Sequence, residues 1–198
     1  LGGTFRGTTR LSPAPGGRKL AEHRSRLLGE MIRDVNKRSD NPNTRLLYLV
    51  LGAQENGPAG GTSLERAEKA VRGWMKEKAI DDAGLVLDNG SGLSRKERVR
   101  ADQLAAVLQR ARTSLWFPEF QAALPIAGVD GGVRRRLDKS PAAQRSRLKT
   151  GTLRDTSALA GYVVDAKGET LVFVAMINHP LAKGSVARPI LDLLVDQV

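Results

Sequence analysis

The sequence predicts a mixed fold of the α+β or layered α/β class, with helices first and an antiparallel sheet after them. Two observations lead to this prediction. Between residues 19 and 111, apolar side chains recur every three or four positions, which indicates amphipathic helices. After residue 145 the pattern changes to short β-rich runs separated by turns, and an amphipathic run closes the chain. We therefore expect a helical cluster, a C-terminal antiparallel sheet of three strands and a closing helix.

The first two helices surround a short polar segment. One is predicted over Lys19–Arg38 and ends before Ser39, because Asn41 precedes a proline and is pushed away from helical angles. The next is predicted over Asn43–Leu51, with Gly52 as its C-terminal cap. Ser39 thus comes where a helix stops and the chain turns, which lets its hydroxyl project into a cleft.

Two capping-box patterns predict where later helices begin. Thr62-Ser63-Leu64-Glu65 and Ser94-Arg95-Lys96-Glu97 each combine an N-cap hydroxyl with a glutamate three residues on. Between these helices, Gly84–Leu87 is predicted as a short buried strand that runs into a Gly- and Asn-rich turn. Residues 4–6 near the start are predicted to be extended.

The C-terminal runs predict an antiparallel meander followed by a helix. The strands are expected at Arg145–Leu153, Ala158–Asp165 and Thr170–Ile177. Such a small sheet leaves at least one edge unpaired unless another segment covers it. The buried face of the closing helix is expected to carry Val186, Ile190, Leu191, Leu194 and Val195.

The composition excludes some classes of partner and cofactor but does not identify the function. The net charge of +11 suits an anionic partner such as nucleic acid, a membrane surface or an acidic cell-wall polymer. Aromatic residues make up only 4%, too few for a base-stacking surface, so we expect no nucleic-acid partner. Cysteine is absent and the two histidines, His23 and His179, are isolated, so no metal and no cofactor is expected.

Two tripeptides, Ser39-Asp40-Asn41 and Lys149-Thr150-Gly151, carry the chemistry. The second lies in a predicted strand, where alternation directs Lys149 and Thr150 to opposite faces unless a bulge intervenes. Gly151 has no side chain, so a substrate backbone can approach closely and pair along the strand.

These tripeptides match two of the three signatures of penicillin-recognising acyl-transfer enzymes. With their flanking blocks, the chain resembles the C-terminal half of class C low-molecular-mass penicillin-binding proteins, the DacB-type D-alanyl-D-alanine carboxypeptidases/endopeptidases. The resemblance implies a partial transpeptidase (β-lactamase-like) domain. Four blocks carry it in family order: Asn36–Asn41, Asp88–Arg95, Leu124–Gly131 and Lys149–Asp155.

The resemblance also implies a role for each site residue. Ser39 and Lys149 form a hydroxyl–ammonium pair that helps pass a proton to the leaving amine. Asn41 hydrogen-bonds the amide of the penultimate substrate residue. Thr150 and Thr152 hold the terminal D-Ala carboxylate, and the Thr152 backbone N–H supplies one half of the oxyanion hole.

The third signature, Ser-x-x-Lys, would carry the acyl-forming serine. Its literal match here is Ser146-Arg147-Leu148-Lys149, which we reject because a strand does not bring Ser and Lys together as one helical turn does. We therefore expect the nucleophile in a missing upstream segment. Residues 1–18 would lead in from that region, and residues 19–198 would form a transpeptidase-type domain lacking its N-terminal strands and Ser-x-x-Lys helix.

The function implied is that of a serine-type D-Ala-D-Ala carboxypeptidase/endopeptidase. It would act on peptidoglycan stem peptides ending in D-Ala-D-Ala through an acyl-enzyme, and β-lactams would inhibit it. The expected location is periplasmic or extracytoplasmic in a bacterium, with a signal peptide that is not in this chain. This chain alone is expected to be inactive. Two alternatives stay open: a non-catalytic peptidoglycan-binding module and a basic nucleic-acid-binding domain.

Three more polar residues have competing interpretations. Ser91 lies between Gly90 and Gly92, and a turn is favoured over a nucleophile. Asp130 and Arg134 either line the cleft or belong to a plain loop, and the loop is the favoured interpretation. Asp40 is expected to turn inward and brace its own loop.

Overall fold

The computed structural model describes residues 18–54 and 60–198, together with residue 4 and residues 6–8. The predicted extended run at residues 4–6 therefore falls partly outside the described residues. The helices are α1 (Leu28–Arg38), α2 (Asn41–Gln54), α3 (Ser63–Glu77), α4 (Ala101–Arg112), α5 (Phe117–Ala123) and α6 (Gly184–Asp196). The strands are β1 (Arg147–Leu153), β2 (Thr156–Val164) and β3 (Thr170–Asn178), and a 3₁₀ turn spans Gly131–Val133.

The three strands form an antiparallel meander in the order β1-β2-β3, which confirms the predicted mixed fold. The register runs without a bulge from Arg147 opposite Tyr162 to Leu153 opposite Thr156. Directly opposed residues share a face of the sheet, so this unbroken register decides which side chains of β1 face which layer.

The sheet is covered on both faces. Helix α6 packs on one face, where the largest core cluster lies; its buried strand and helix members include Leu148, Leu159, Val163, Leu191 and Val195. On the other face, Tyr162 packs with Leu108 of α4 and Leu124. The Tyr162 hydroxyl donates to the Leu108 carbonyl oxygen at 2.7 Å, and burial raises the pKa of Tyr162 to about 12. Helices thus hold the sheet from both sides.

Helix α3 begins where its capping box predicts. The Glu65 N–H donates to the Thr62 hydroxyl at 3.3 Å, and the Thr62 N–H donates to the Glu65 carboxylate at 2.6 Å. The apolar face of α3, which includes Met75, packs against Ile80, Leu85 and residues of α4. No helix among the described residues is long and apolar enough to cross a membrane.

The bounds predicted for the first two helices are partly wrong. The first helix starts at Leu28 and not at Lys19, since Leu20 and Leu27 are 85% and 77% exposed and nothing buries the predicted face there. Helix α2 begins at Asn41 and not at Asn43, so the residue before Pro42 is helical, contrary to the prediction. Helix α2 runs on to Gln54, and Gly52 is a buried residue inside it. A Cβ at Gly52 would meet the Ser63 carbonyl and the Ala67 nitrogen, so this glycine allows α2 and α3 to approach closely.

The predicted start of the fourth helix is also wrong. The Ser94 hydroxyl accepts the Lys96 N–H, which makes a local turn. The chain then pairs through Arg98 with Val86, and this isolated bridge replaces the predicted strand at 84–87. Helix α4 begins only at Ala101, where the buried Gln103 side chain accepts the Arg100 N–H at 2.9 Å.

The buried face of α6 differs in part from the prediction. Leu191 and Val195 are buried as expected, and Ala187 joins them, whereas three of the predicted members are exposed: Val186, Ile190 and Leu194. Ala187, Leu191 and Val195 are spaced four residues apart and form one stripe towards the sheet, so the residue one position before each of them turns outward.

Candidate active site

Ser39 occupies a left-handed backbone conformation, with φ 53° and ψ 50°, at the C-terminal cap of α1. Such a conformation costs about 1 kcal/mol or more for a residue other than glycine. It is supported by the Asp40 N–H, which donates to the Val35 carbonyl at 3.0 Å. The turn ends the helix at the predicted residue and leaves Ser39 exposed.

Lys149 projects from β1 towards Ser39. It lies opposite Ala160, which places it on the α4–α5 face of the sheet, while Thr150 lies opposite Leu159 on the α6 face. The two side chains therefore point to opposite faces, as the alternation predicts. The Lys149 Nζ atom donates to Ser39 Oγ at 2.7 Å, and these residues are 110 positions apart in the chain.

Burial lowers the pKa of the Lys149 ammonium from its ordinary value of 10.5. Its second hydrogen bond goes to the Thr150 carbonyl oxygen at 2.9 Å. Because Ser39 Oγ accepts from Lys149, its own hydroxyl hydrogen stays available for another acceptor. The pair can therefore hold or pass a proton at the Ser39 oxygen.

The outer edge of β1 is covered at its start. The Leu148 N–H donates to the Pro125 carbonyl, and Ile126 bridges to Arg147. Alternate residues of a strand direct their N–H and C=O groups to the same side, so Thr150 and Thr152 direct theirs to this edge as Leu148 does. Among the described residues, no backbone hydrogen bond covers that edge beyond Leu148.

The side chains along this edge leave room for a ligand. Gly151 is exposed, and a Cβ there would meet only the Ala158 Cβ, at 3.5 Å. Thr152 is exposed as well. The Thr150 hydroxyl faces Gly132, where a Cβ would collide with it, so the absence of a side chain at Gly132 gives this hydroxyl its space.

Asn41 is held at the start of α2 by the Gly-rich turn. Its Nδ2 donates to the Ser91 carbonyl oxygen at 2.6 Å, and no described residue donates to its Oδ1. Gly90 and Gly92 adopt positive φ of 69° and 73° on either side of Ser91. Ser91 therefore contributes its backbone to the site as part of a turn, in agreement with the favoured interpretation.

An ion pair joins this turn to the end of β1. The Arg95 Nη2 atom lies 2.9 Å from the Asp155 carboxylate. Both side chains are largely exposed, so the pair adds little to stability and serves mainly to link the two segments. Three of the predicted motifs thus meet around one cleft: residues 39–41, residues 88–95 and residues 149–155.

Asp40 braces its loop, as expected. It accepts the Asn43 N–H at 3.1 Å and the Asn43 side-chain amide at 2.8 Å, which satisfies the N-terminus of α2. The hydrogen bond from the Asn43 backbone, aided by its side chain, lowers the pKa of Asp40 from 3.8. The stability that this carboxylate provides is therefore present above pH 3.8 and lost as the pH falls through the lowered pKa.

We expect Asp40→Ala to lower the thermal unfolding midpoint at pH 7, because α2 loses its N-terminal cap. The gap between the variant and the wild type should narrow as the pH is taken below 3.8, where the wild-type carboxylate is protonated. Thermal unfolding followed by circular dichroism from pH 2 to pH 7 measures this. Asp138→Ala, at an exposed aspartate, is the control, and an equal, pH-independent loss in both variants would contradict the cap.

One feature of the site escaped sequence reasoning. Asp130 is not part of a plain loop: it forms an ion pair of 2.5 Å with Lys37, two residues before Ser39. Arg134, by contrast, is exposed at the end of the 131–133 turn. Ser146 is fully buried and its hydroxyl accepts the Val164 N–H, which agrees with its rejection as a nucleophile.

The half-buried Lys149 thus joins the Ser-Asp-Asn and Lys-Thr-Gly tripeptides beside an open strand edge, an arrangement that agrees with the class of penicillin-recognising serine enzymes. Comparison with family models agrees: residues 1–198 match the D-Ala-D-Ala carboxypeptidase 3 (S13) family. The chain belongs to this family.

Named relatives agree with this membership. The chain is 35% identical over 167 residues to a D-alanyl-D-alanine carboxypeptidase of Actinomadura sp. (strain R39), with 81% of the chain and 30% of the relative covered. It is 31% identical over 181 residues to D-alanyl-D-alanine carboxypeptidase DacB of Haemophilus influenzae, with 90% and 37% covered. The chain thus spans well under half of the length of these relatives.

A solved structure supports the fold. Penicillin binding protein 4 (dacB) of Haemophilus influenzae, complexed with a β-lactam, superposes with a TM-score of 0.72 at 25% identity. The match covers 85% of this chain and 40% of that one.

Proposed function

We propose that this chain is the part of a serine-type D-Ala-D-Ala carboxypeptidase/endopeptidase that holds the substrate and relays the proton. The whole enzyme would cleave peptidoglycan stem peptides ending in D-Ala-D-Ala, and β-lactams would acylate it. The contact of 2.7 Å between Lys149 Nζ and Ser39 Oγ carries this proposal, because it joins two distant motifs at an open strand edge. The β-lactam bound to the Haemophilus influenzae relative supports it.

The proposed reaction proceeds in two steps. A serine Oγ attacks the carbonyl carbon of the penultimate D-Ala, and the bond to the terminal D-Ala nitrogen breaks. The proton that the attacking serine gives up reaches the leaving amine through Ser39, whose Oγ accepts a hydrogen bond from Lys149. Water then hydrolyses the acyl-enzyme and regenerates the serine.

The open edge of β1 would bind the substrate as an added strand. The outward N–H of Thr152 would stabilise the oxyanion, and the hydroxyls of Thr150 and Thr152 would bind the terminal carboxylate. The Oδ1 of Asn41, to which no described residue donates, is suited to accept the amide N–H of the penultimate residue. Gly151 keeps the edge accessible to the peptide backbone.

We also propose that the nucleophile comes from a Ser-x-x-Lys segment upstream of Leu1, so that residues 19–198 form only part of the catalytic domain. A groove of about 700 Å³ between the helices and the sheet is suited to this segment. Apolar side chains line much of it and it reaches the end of β1; among them are Val71, Met75, Leu87, Val107, Leu153 and Met176.

The substrate class implies where the enzyme works. Peptidoglycan lies outside the cytoplasmic membrane, so we place the protein in the periplasm or another extracytoplasmic compartment of a bacterium. The net charge of +11 suits this polymer, whose stem peptides carry carboxylates.

Fluorescent penicillin tests the proposal on the longer protein, which carries the upstream segment. We expect one covalent label per molecule, on a serine upstream of Leu1, and release of D-Ala from a stem peptide ending in D-Ala-D-Ala. Peptide mapping by mass spectrometry locates the label, and an excess of unlabelled penicillin is the control. A label on Ser39, or no label on the folded longer protein, would overturn the proposal.

A further inference from the structure

A second contact to the end of α1 comes from the segment that pairs with the start of β1. Lys37 Nζ donates to Asp130 Oδ2 at 2.5 Å and to the Leu124 carbonyl oxygen at 3.3 Å. Asp130 Oδ1 accepts the Ile126 N–H at 2.7 Å, so both carboxylate oxygens are engaged. The two side chains are only 21% and 34% exposed, which distinguishes this pair from the ion pairs of the outer surface.

The partners of Asp130 connect the two halves of the site. Lys37 belongs to the last turn of α1, two residues before Ser39. Ile126 bridges to Arg147 at the start of β1, and Arg147 lies two residues before Lys149. Burial opposes ionisation of Asp130, but its hydrogen bonds from Lys37 and Ile126 together hold the pKa of the carboxyl below its ordinary value.

The 131–133 turn that follows Asp130 is wedged between the same elements. A Cβ at Gly131 would lie 3.0 Å from the Lys37 carbonyl oxygen and 2.7 Å from the Pro125 Cβ. Gly132 faces the Thr150 hydroxyl. Asp130 thus anchors a turn that contacts α1 on one side and the proposed carboxylate-binding threonine on the other.

Ser39 needs such support, because a left-handed residue keeps its conformation only where its surroundings impose it. We propose that Lys37 and Asp130 are positioning residues for the reaction, which hold the Ser39 hydroxyl against Lys149 and set the distance from α1 to β1. This inference rests on the proposed function. Neither residue contacts the proposed substrate edge, so each acts through Ser39, Lys149 and Thr150.

A pair that only stabilises the fold would act differently, and the chain offers a matched control. Arg136 and Asp192 form an ion pair of 2.7 Å whose side chains are 13% and 25% exposed. This pair joins the loop after the 131–133 turn to α6. Asp192→Asn removes a partner as buried as Asp130 at a place that does not contact Ser39 or Lys149.

The test uses the longer protein and compares Asp130→Asn, Lys37→Met, Lys37→Arg and Asp192→Asn. The readouts are the second-order rate constant for acylation by penicillin, measured well below the unfolding midpoint, and the midpoint itself. Asp130→Asn and Lys37→Met should slow acylation by about 10- to 100-fold, since a displacement near 1 Å has an effect of this size. Lys37→Arg should recover most of the rate, and Asp192→Asn should stay within about twofold of wild type while its midpoint falls.

The outcomes separate the two claims. If the wild type is acylated and Asp130→Asn reacts as fast as Asp192→Asn, the positioning role is wrong. If Asp130→Asn does not fold, the comparison of Lys37→Met with Lys37→Arg decides, and equal rates overturn the inference. A folded wild type that no penicillin acylates would instead remove the proposed function.

Discussion

Replacing Lys149 by alanine should lower the acylation rate of the longer protein by on the order of 10³-fold, the range of a lost general acid–base group. The variant removes the ammonium that donates to Ser39 Oγ at 2.7 Å, and with it the positive charge next to the Ser39 hydroxyl. The bond to the Thr150 carbonyl at the strand edge is lost as well. Acylation by penicillin and release of D-Ala from a stem peptide are the measurements.

The pH dependence identifies the group responsible. Burial lowers the pKa of Lys149, and the protonated amine is the form that donates to Ser39, so the wild-type rate should fall as the pH rises through a value below 10.5. An arginine at this position keeps its charge throughout that range. The acylation rate of Lys149→Arg, although lower than that of the wild type, should therefore not fall as the pH rises through this range.

Lys167→Ala is the matched control for Lys149→Ala. Lys167 lies exposed in the turn between β2 and β3, so its loss removes the same charge far from the proposed site. We expect its rate to stay within about twofold of wild type, as for surface substitutions that touch no structural feature. A rate for Lys149→Ala as high as that of Lys167→Ala would show that Lys149 does not take part in the proton relay.

The sheet was the most predictable part of the fold, because its signals are local. Alternation and turn residues place the strands to within about two residues, and the continuous register then orients Lys149 and Thr150 as the alternation requires. The end of α1 at Arg38 was predicted correctly but for the wrong reason. Asn41, the residue before Pro42, is itself the first residue of α2, and α1 ends because Ser39 adopts a left-handed conformation.

Long-range contacts decided the boundaries that failed. Ser94 carries a valid N-cap signal, yet the bridge between Val86 and Arg98 holds the following residues in an extended conformation, so α4 starts later. Gly52 carries a valid C-cap signal, but packing against α3 continues the helix through it. In each case a contact from another segment outweighed a local preference.

In the site, too, local features were predictable from the sequence and long-range contacts were not. The residue types of the two tripeptides were visible in the sequence, and the resemblance assigned them to one cleft. The Lys37–Asp130 pair was not visible, because its members are 93 positions apart and each also occurs in ordinary surface contexts. A pairing of this kind becomes apparent only when α1, the 131–133 turn and β1 are seen together.

The isolated chain of residues 1–198 should not be labelled by fluorescent penicillin. Its proposed relay, Ser39 and Lys149, is present, but a relay without an attacking serine forms no acyl-enzyme. Ser146 does not replace that serine, since it is fully buried. Gel fluorescence of the chain, verified by intact mass, should equal that of a heat-denatured sample.

Labelling should return when the upstream segment is added as a separate polypeptide. The groove of about 700 Å³ beside Leu153 provides an apolar binding surface for this segment. A segment that binds the folded chain should also raise the unfolding midpoint of the chain. A Ser146→Ala chain should regain the label as fully as the wild type, whereas a Lys149→Ala chain should regain it at the rate of the Lys149→Ala longer protein. Stoichiometric labelling of the chain alone would place the nucleophile within residues 1–198 and overturn the division of the site between two segments.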